Sequence, residues 1–410
     1  MTESTVSKTV RATAPCYVYD QAHVRARCAQ VKEALAGFEF LYSVKTNPYA
    51  QILQEVKAAG FGLDAASSNE VFMGMTQGFA AKDIYYSAPG KSDRDIELTL
   101  GKCRFIADSF HDIECLQALA QEKAMTVKFG VRLNPDFTMT DDVGLPGKFG
   151  IDVEELPQLL EVMHASPNLE LEGIHMHVRS QVLDAQRIAA YWDKCFDLAG
   201  RVESQLGVKL DYLNMGSGIG EAYEAQRDTP VDFAVLSAKA KELVAKSEGR
   251  LRLIMETGRY IVCQAGTYYT PVVDIKVSRG VKYVIVKNAL TGFIRPAIAH
   301  LVLTNNADAA DGQEPLYTSP RPFVISVENN AVETERVNLV GNLCTALDIV
   351  ANDIELKKAE VGDIVSITNA GSYAFSLSPH FFSSHAIPRQ LFKTEEGEFL
   401  DEHAQVIGHE

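Results

Sequence analysis

Phe38-Glu39-Phe40-Leu41-Tyr42-Ser43-Val44-Lys45-Thr46-Asn47-Pro48 is an apolar run that ends on a lysine. It reads as a buried strand, stopped by Asn47-Pro48 because proline brings no N–H to a ladder. A lysine at such a strand end, facing a pocket, loses some preference for its charged form and can attack an aldehyde. The segment alone also permits a lysine that snorkels to a rim or pairs with a structural carboxylate.

Working outward from this run, short apolar stretches alternate with amphipathic ones. Strands are expected near 38–45, 62–67, 83–89, 104–109, 126–134, 170–178, 209–216 and 250–258, with helices near 21–36, 49–59, 93–100, 154–164 and 232–245. Eight strands separated by helices is the count for a closed (β/α)8 barrel. An open doubly wound sheet would favour five or six strands and a GxGxxG after the first, which is missing here. Beyond about Thr267 the texture becomes β-rich, with runs at 271–276, 282–286, 323–327 and 364–369. The expected fold is therefore α/β: a barrel over 36–266, and a β-sandwich or barrel-like domain from 267–410 joined by 1–35 through Tyr17-Val18-Tyr19. The polar loop 305–322 is expected to be mobile.

At 410 residues, 46% hydrophobic and 23% charged, the chain is globular and too long for one ordinary core. A net charge of −15 disfavours nucleic acid or an anionic membrane as partner. No signal-like segment or membrane-spanning apolar run is read. The seven cysteines lack CxxC or CxxH spacing, which argues for reduced thiols in the cytoplasm and against a zinc site.

Chemistry in such a barrel collects at the carboxyl ends of the strands. Lys45 ends strand one, Asp64 lies in strand two, Arg132-Leu133-Asn134 ends strand five, and His175 and His177 end strand six. Gly216-Ser217-Gly218-Ile219-Gly220 follows strand seven and Glu256-Thr257-Gly258-Arg259 ends strand eight. The glycine loop lets backbone N–H groups approach an anion, and its place after strand seven is the usual phosphate site of barrel enzymes. A lysine and a phosphate cup together suggest pyridoxal 5'-phosphate, with Glu256 as partner for the ring nitrogen and His177 flat against the ring. An ordinary hydrogen-bonded His177 is the alternative. No Ser/His/Asp triad and no metal cluster is read.

On these motifs the chain resembles the diaminopimelate/ornithine decarboxylase family, barrel-type pyridoxal-phosphate enzymes related in fold to alanine racemase. The likeness runs from about Tyr17 to Leu391 and includes Ala88-Pro89-Gly90-Lys91, Lys148-Phe149-Gly150-Ile151, His175-Met176-His177-Val178-Arg179-Ser180-Gln181, Cys344-Thr345-Ala346-Leu347-Asp348 and Gly371-Ser372-Tyr373. It implies that Lys45 carries the cofactor, His177 stacks on it and Glu256 holds the pyridine nitrogen. Asp64, Ser180, Gly216, Ser217, Gly218, Gly220, Gly258, Arg259 and Tyr373 would complete the cofactor contacts. It further implies that Arg295 meets a substrate carboxylate and that Cys344 reprotonates the α-carbon, entering the site of a second copy in a homodimer with shared sites.

Four positions depart from the family pattern. Thr345 stands where an acid normally grips a distal ammonium, and Arg179 where glycine is usual; Thr257 and Asn342 each replace a proline. A lost acid and a gained cation point to a small-molecule substrate with a neutral, acylated or carboxylate-bearing distal end, met by Arg179, Arg295, Thr345 and Asp348. Cys-Thr-x-Leu-Asp resembles the branch serving siderophore and other specialised pathways. The alternatives are an ordinary meso-diaminopimelate decarboxylase and a non-catalytic regulator that keeps the fold; the intact Lys45, Glu256, Cys344 and glycine loop argue against the regulator.

Overall fold

The computed structural model describes residues 6–224, 226–305 and 322–409; between its two end residues, the expected mobile loop 305–322 lies outside them. Among the described residues, eight parallel strands close into a barrel. They are β1 (Phe38–Ser43), β2 (Gly62–Ala65), β3 (Ile84–Tyr86), β4 (Arg104–Ala107), β5 (Val127–Asn134), β6 (Leu169–His175), β7 (Tyr212–Asn214) and β8 (Arg252–Thr257). Each pairs with its sequence neighbour, and β8 closes on β1 through Leu253↔Phe38 to Thr257↔Tyr42. All eight expected strands are present. All but β5 end earlier than expected, so Lys45 and His177 lie in the turns beyond β1 and β6 rather than on the strands.

The barrel interior is packed by Leu41, Tyr85, Ile106, Tyr212 and Ile254. Gly130 and Gly173 sit where a Cβ would collide with the Tyr212 ring, so β5 and β6 yield space to one large side chain. Outside, the helices lay apolar faces on the strands; Trp192 of the helix Ala185–Leu206, fully buried, meets Phe38 at 5.3 Å between ring centroids. Ser67, Ser92, Ser109, Asp184 and Asp232 cap their helices by accepting from first-turn N–H groups. Each cap stabilises by about 1 kcal/mol and sets where a helix leaves the barrel mouth.

The second sheet is organised on Gly266–Ser278, which pairs antiparallel with Val281–Val286, Ile364–Ile367 and Cys16–Asp20. Cys16–Asp20 also pairs parallel with Arg389–Lys393, so the two ends of the chain meet in this sheet. Of the stretch expected to join the β domain, only part does so. The helix Gln21–Ala34 lies on the barrel instead: Gln21 and Arg25 bond Glu55 at 2.6 Å, and Lys32 bonds the carbonyl of Ala59. Thr334–Gly341 and Ile349–Lys357 form an antiparallel pair whose connection carries Cys344. Among the described residues no helix is long and apolar enough to cross a membrane.

Candidate active site

Lys45 occupies a 3-10 turn, Val44–Thr46, made when β1 runs into Asn47-Pro48. Its Nζ lies 3.5 Å from Oδ2 of Asp64, a fully buried carboxylate that also accepts from Ser43 Oγ (2.9 Å) and Ser87 Oγ. Desolvation was expected to weaken the charged form of this lysine. The structure corrects that: the side chain is 48% exposed, and Asp64, its dominant neighbour, raises the ammonium above its ordinary range. Glu70, in the helix after β2, accepts from the Ala66 N–H at 2.6 Å, and its carboxyl is pushed up to about 7, by burial first and then by Asp64. Nothing in the sequence marks it, because an acidic residue in a first helical turn is ordinary.

Across the mouth, Glu256 at the end of β8 is 5% exposed and uses Oε1 twice, accepting from Asn214 Nδ2 at 2.9 Å and facing His175 Nε2 at 3.2 Å. Burial would raise this carboxyl. The His175 imidazole, with Lys45 and His177 beyond it, prevails and holds it well below the carboxylate range. His177 Nδ1 accepts the Ser217 N–H at 3.1 Å, which leaves any ring proton on Nε2. Burial, then Arg132, Lys45 and His175, outweigh Glu256 and lower the imidazole to about 3, so the ring stays neutral. Asn214, invisible as a motif, bridges the two sides: its amide donates to Glu256 and its carbonyl accepts the Gly216 N–H at 2.9 Å.

Two glycines open a cradle between these groups. Gly216 has φ +65°, and a Cβ there would strike the Met176 carbonyl and approach His177 Nδ1 to 2.8 Å. A Cβ on Gly258 would collide with Thr46 Oγ1, so β8 can reach the lysine turn only with glycine. Gly218 and Gly220 follow in the same loop, whose backbone bridges Val182 through Ile219. Arg259 Nη1 donates to Tyr223 OH at 2.9 Å, and its guanidinium lies 5.0 Å from the Tyr373 ring. Tyr373 belongs to the second sheet's segment, yet its N–H donates to the Thr46 carbonyl at 2.9 Å, and Asn47 Nδ2 donates to the Gly371 carbonyl at 2.9 Å. One chain therefore brings both domains to the lysine turn. Arg179 and Ser180 are half-buried in the loop after β6, beside His177. An amine, a cradle that a Cβ would fill, a neighbouring guanidinium and an ionised carboxylate with Oε2 left over fit the donor set that pyridoxal phosphate requires.

Two expectations change. Arg295 is 2% exposed and donates to the carbonyls of Ser372 (3.0 Å) and Asn369 (3.5 Å) and to Tyr223 OH (3.5 Å); sealed in this way it shows no open face to a substrate carboxylate. Asp348 is also buried, with Oδ1 accepting from the Leu290 N–H (2.7 Å) and Oδ2 from the Leu343 N–H (2.8 Å). It shapes the loop that carries Cys344 rather than facing a ligand. Cys344 is exposed, and Thr345, half-buried, spends its hydroxyl on the Leu347 N–H at 3.3 Å. Among the described residues, neither hydrogen-bonds to the Lys45 cluster of its own chain.

Residues 21–263 match the family model described as "Pyridoxal-dependent decarboxylase, pyridoxal binding domain". Along nearly its whole length the chain is similar to three curated proteins. An L-glutamyl-[BtrI acyl-carrier protein] decarboxylase from Niallia circulans is 26% identical, over 94% of this chain and 90% of that protein. A diaminopimelate decarboxylase from Archaeoglobus fulgidus is 29% identical, over 92% and 87%. A 2-[(L-alanin-3-ylcarbamoyl)methyl]-2-hydroxybutanedioate decarboxylase from Staphylococcus aureus is 27% identical, over 92% and 94%. In fold it is similar to the crystal structure of diaminopimelate decarboxylase from M. jannaschi, with a TM-score of 0.83 at 22% identity, covering 96% of this chain and 90% of that one.

Proposed function

Because this chain belongs to the pyridoxal-dependent decarboxylases, a family of carboxy-lyases, we propose that it removes the α-carboxylate of an amino acid whose distal end is modified or carries a carboxylate. The observation behind this reading is Thr345, a hydroxyl already engaged locally where a distal ammonium would need a carboxylate. A buried ammonium without that partner loses about 2 kcal/mol or more. Arg179 beside His177 adds a cation suited to an anionic or acylated end. The names of two relatives support the same direction, since one describes a carrier-bound glutamyl group and another a hydroxybutanedioate conjugate. The name of the Archaeoglobus relative supports the other reading, meso-diaminopimelate decarboxylation.

Pyridoxal phosphate, when bound, supplies an aldehyde for amines and a conjugated ring that accepts the electron pair left by departing CO2. Lys45 would hold it through Nζ, oriented by Asp64. The glycine loop, Gly258, Arg259 and Tyr373 would receive the phosphate. Glu256, ionised by its neighbours, would keep a proton on the ring nitrogen, and the neutral His177 would present an aromatic face without adding a second cation. Cys344 would donate the proton that replaces the lost carboxylate. Its exposure on the second domain supports delivery from another copy, so the working form is a homodimer with shared sites.

The test is mass spectrometry of products from a panel of free amino acids, citrate–amino-acid conjugates and carrier-bound amino acids. Loss of CO2 from a conjugate or carrier-bound member, with little turnover of meso-diaminopimelate, is expected. Lysine formation at rates on the order of 10 per second would overturn the substrate reading.

A further inference from the structure

The helices Asp93–Thr99 and Phe110–Glu122 lie on the outer wall of the barrel, and their first turns stand at the same end as Lys45. Asp93 opens the first helix. His111 and Cys115 lie four residues apart on the second, hence on one face. Their donor atoms converge: Cys115 Sγ is 3.1 Å from Asp93 Oδ1 and 3.5 Å from His111 Nε2, and His111 Nε2 is 3.4 Å from Asp93 Oδ1. All three lie within 4.8 Å of one another.

We propose that Asp93, His111 and Cys115 bind a first-row transition dication of the zinc class, with its fourth position open to solvent. Metal bonds of about 2.0–2.3 Å at tetrahedral angles place neighbouring ligand atoms about 3.3–3.6 Å apart. Two of the three edges meet this and the third is shorter by a few tenths of an ångström, within reach of a rotation of the exposed Asp93 side chain. The ligand types choose the ion: a thiolate and an imidazole favour zinc, cobalt or copper over magnesium or calcium. One carboxylate and one thiolate neutralise a dication. The three side chains have no part in the decarboxylation chemistry above.

Binding must displace the thiol proton to solvent, so each bound cation releases one H+. The adjacent Asp93 carboxylate favours a cation beside the sulfur, and because binding releases a proton, affinity should rise with pH. Cysteine spacing excludes only ligands close in sequence, and this set spans two helices.

The test uses the full-length holoenzyme, stripped with EDTA and titrated with Co2+ and then Zn2+ at pH 7.5. The expected result is a thiolate-to-cobalt charge-transfer band, displaced by Zn2+, with one proton released per cation. Cys115→Ser and His111→Ala should each weaken Zn2+ binding on the order of 100-fold while leaving cofactor content unchanged. No charge-transfer band in the wild type, or Zn2+ affinities of either variant within threefold of wild type, would overturn the proposal. Pyridoxal phosphate and Cys344 bind metals too, but they are common to all three proteins and cancel in the comparison.

Discussion

Replacing Gly216 by alanine asks the cradle to accept one methyl group. The residue sits at φ +65°, where an L side chain costs about 1–2 kcal/mol. The new Cβ also meets the Met176 carbonyl, which is backbone and cannot step aside, and comes within 2.8 Å of His177 Nδ1. Overpacking of this kind adds about 1–3 kcal/mol. The total is about 2–5 kcal/mol. Gly101 separates the two contributions: its φ is +75°, but its Cβ would meet nothing within 4 Å. Gly101→Ala should therefore carry only the backbone part, about 1–2 kcal/mol. Urea unfolding of both variants, read at constant m, gives the difference directly. Because the methyl displaces His177 from the Ser217 N–H, Gly216→Ala should also lose pyridoxal phosphate on dialysis, whereas Gly101→Ala should retain it. Equal destabilisation of the two variants, to within about 0.5 kcal/mol, would refute the reasoning.

Glu256 has a depressed folded-state pKa, so its contribution is present above the unfolded value of about 4.3 and fades as pH falls toward the folded one. Glu256→Gln should accordingly cost about 3–5 kcal/mol near pH 7, with the gap to wild type narrowing below pH 4 in denaturant melts. His177, neutral with its pKa near 3, should show no imidazole titration between pH 8 and 4.5 by NMR; a midpoint near 6.5 would contradict its placement. If Cys344 serves the partner's site, Lys45→Ala and Cys344→Ala proteins, each inactive alone, should recover about a quarter of wild-type activity when refolded together, and no recovery would confine the site to one chain.

Much of this arrangement could be read from the chain alone, for physical reasons that vary by region. Barrel strands are buried on both faces and appear as largely apolar runs, so Phe38–Ser43, broken only by the exposed Glu39, and its seven counterparts stood out. Thr334–Gly341 and Ile349–Lys357 went unread: they are half-exposed and mix polar with apolar residues without a clean alternation. Gly216 and Glu256 were visible because strand ends of a barrel are where polar residues have little structural reason to be. Asn214 and Tyr223 were not, since each acts by touching a residue distant in sequence, and Glu70 looked like an ordinary first-turn acid. Arg295 and Asp348 engage backbone groups that no motif records. The helix Gln21–Ala34 was assigned by proximity to Tyr17–Tyr19, although Glu55 of the barrel fixes it.

The covalent anchor is the point on which the site stands or falls. Borohydride reduction of the holoenzyme, proteolysis and mass spectrometry would locate the phosphopyridoxyl group on one peptide. The expected product is the fragment spanning Phe38–Pro48, modified at Lys45, with no labelling in Lys45→Ala. A label on any other lysine, or one that persists after that substitution, would contradict it.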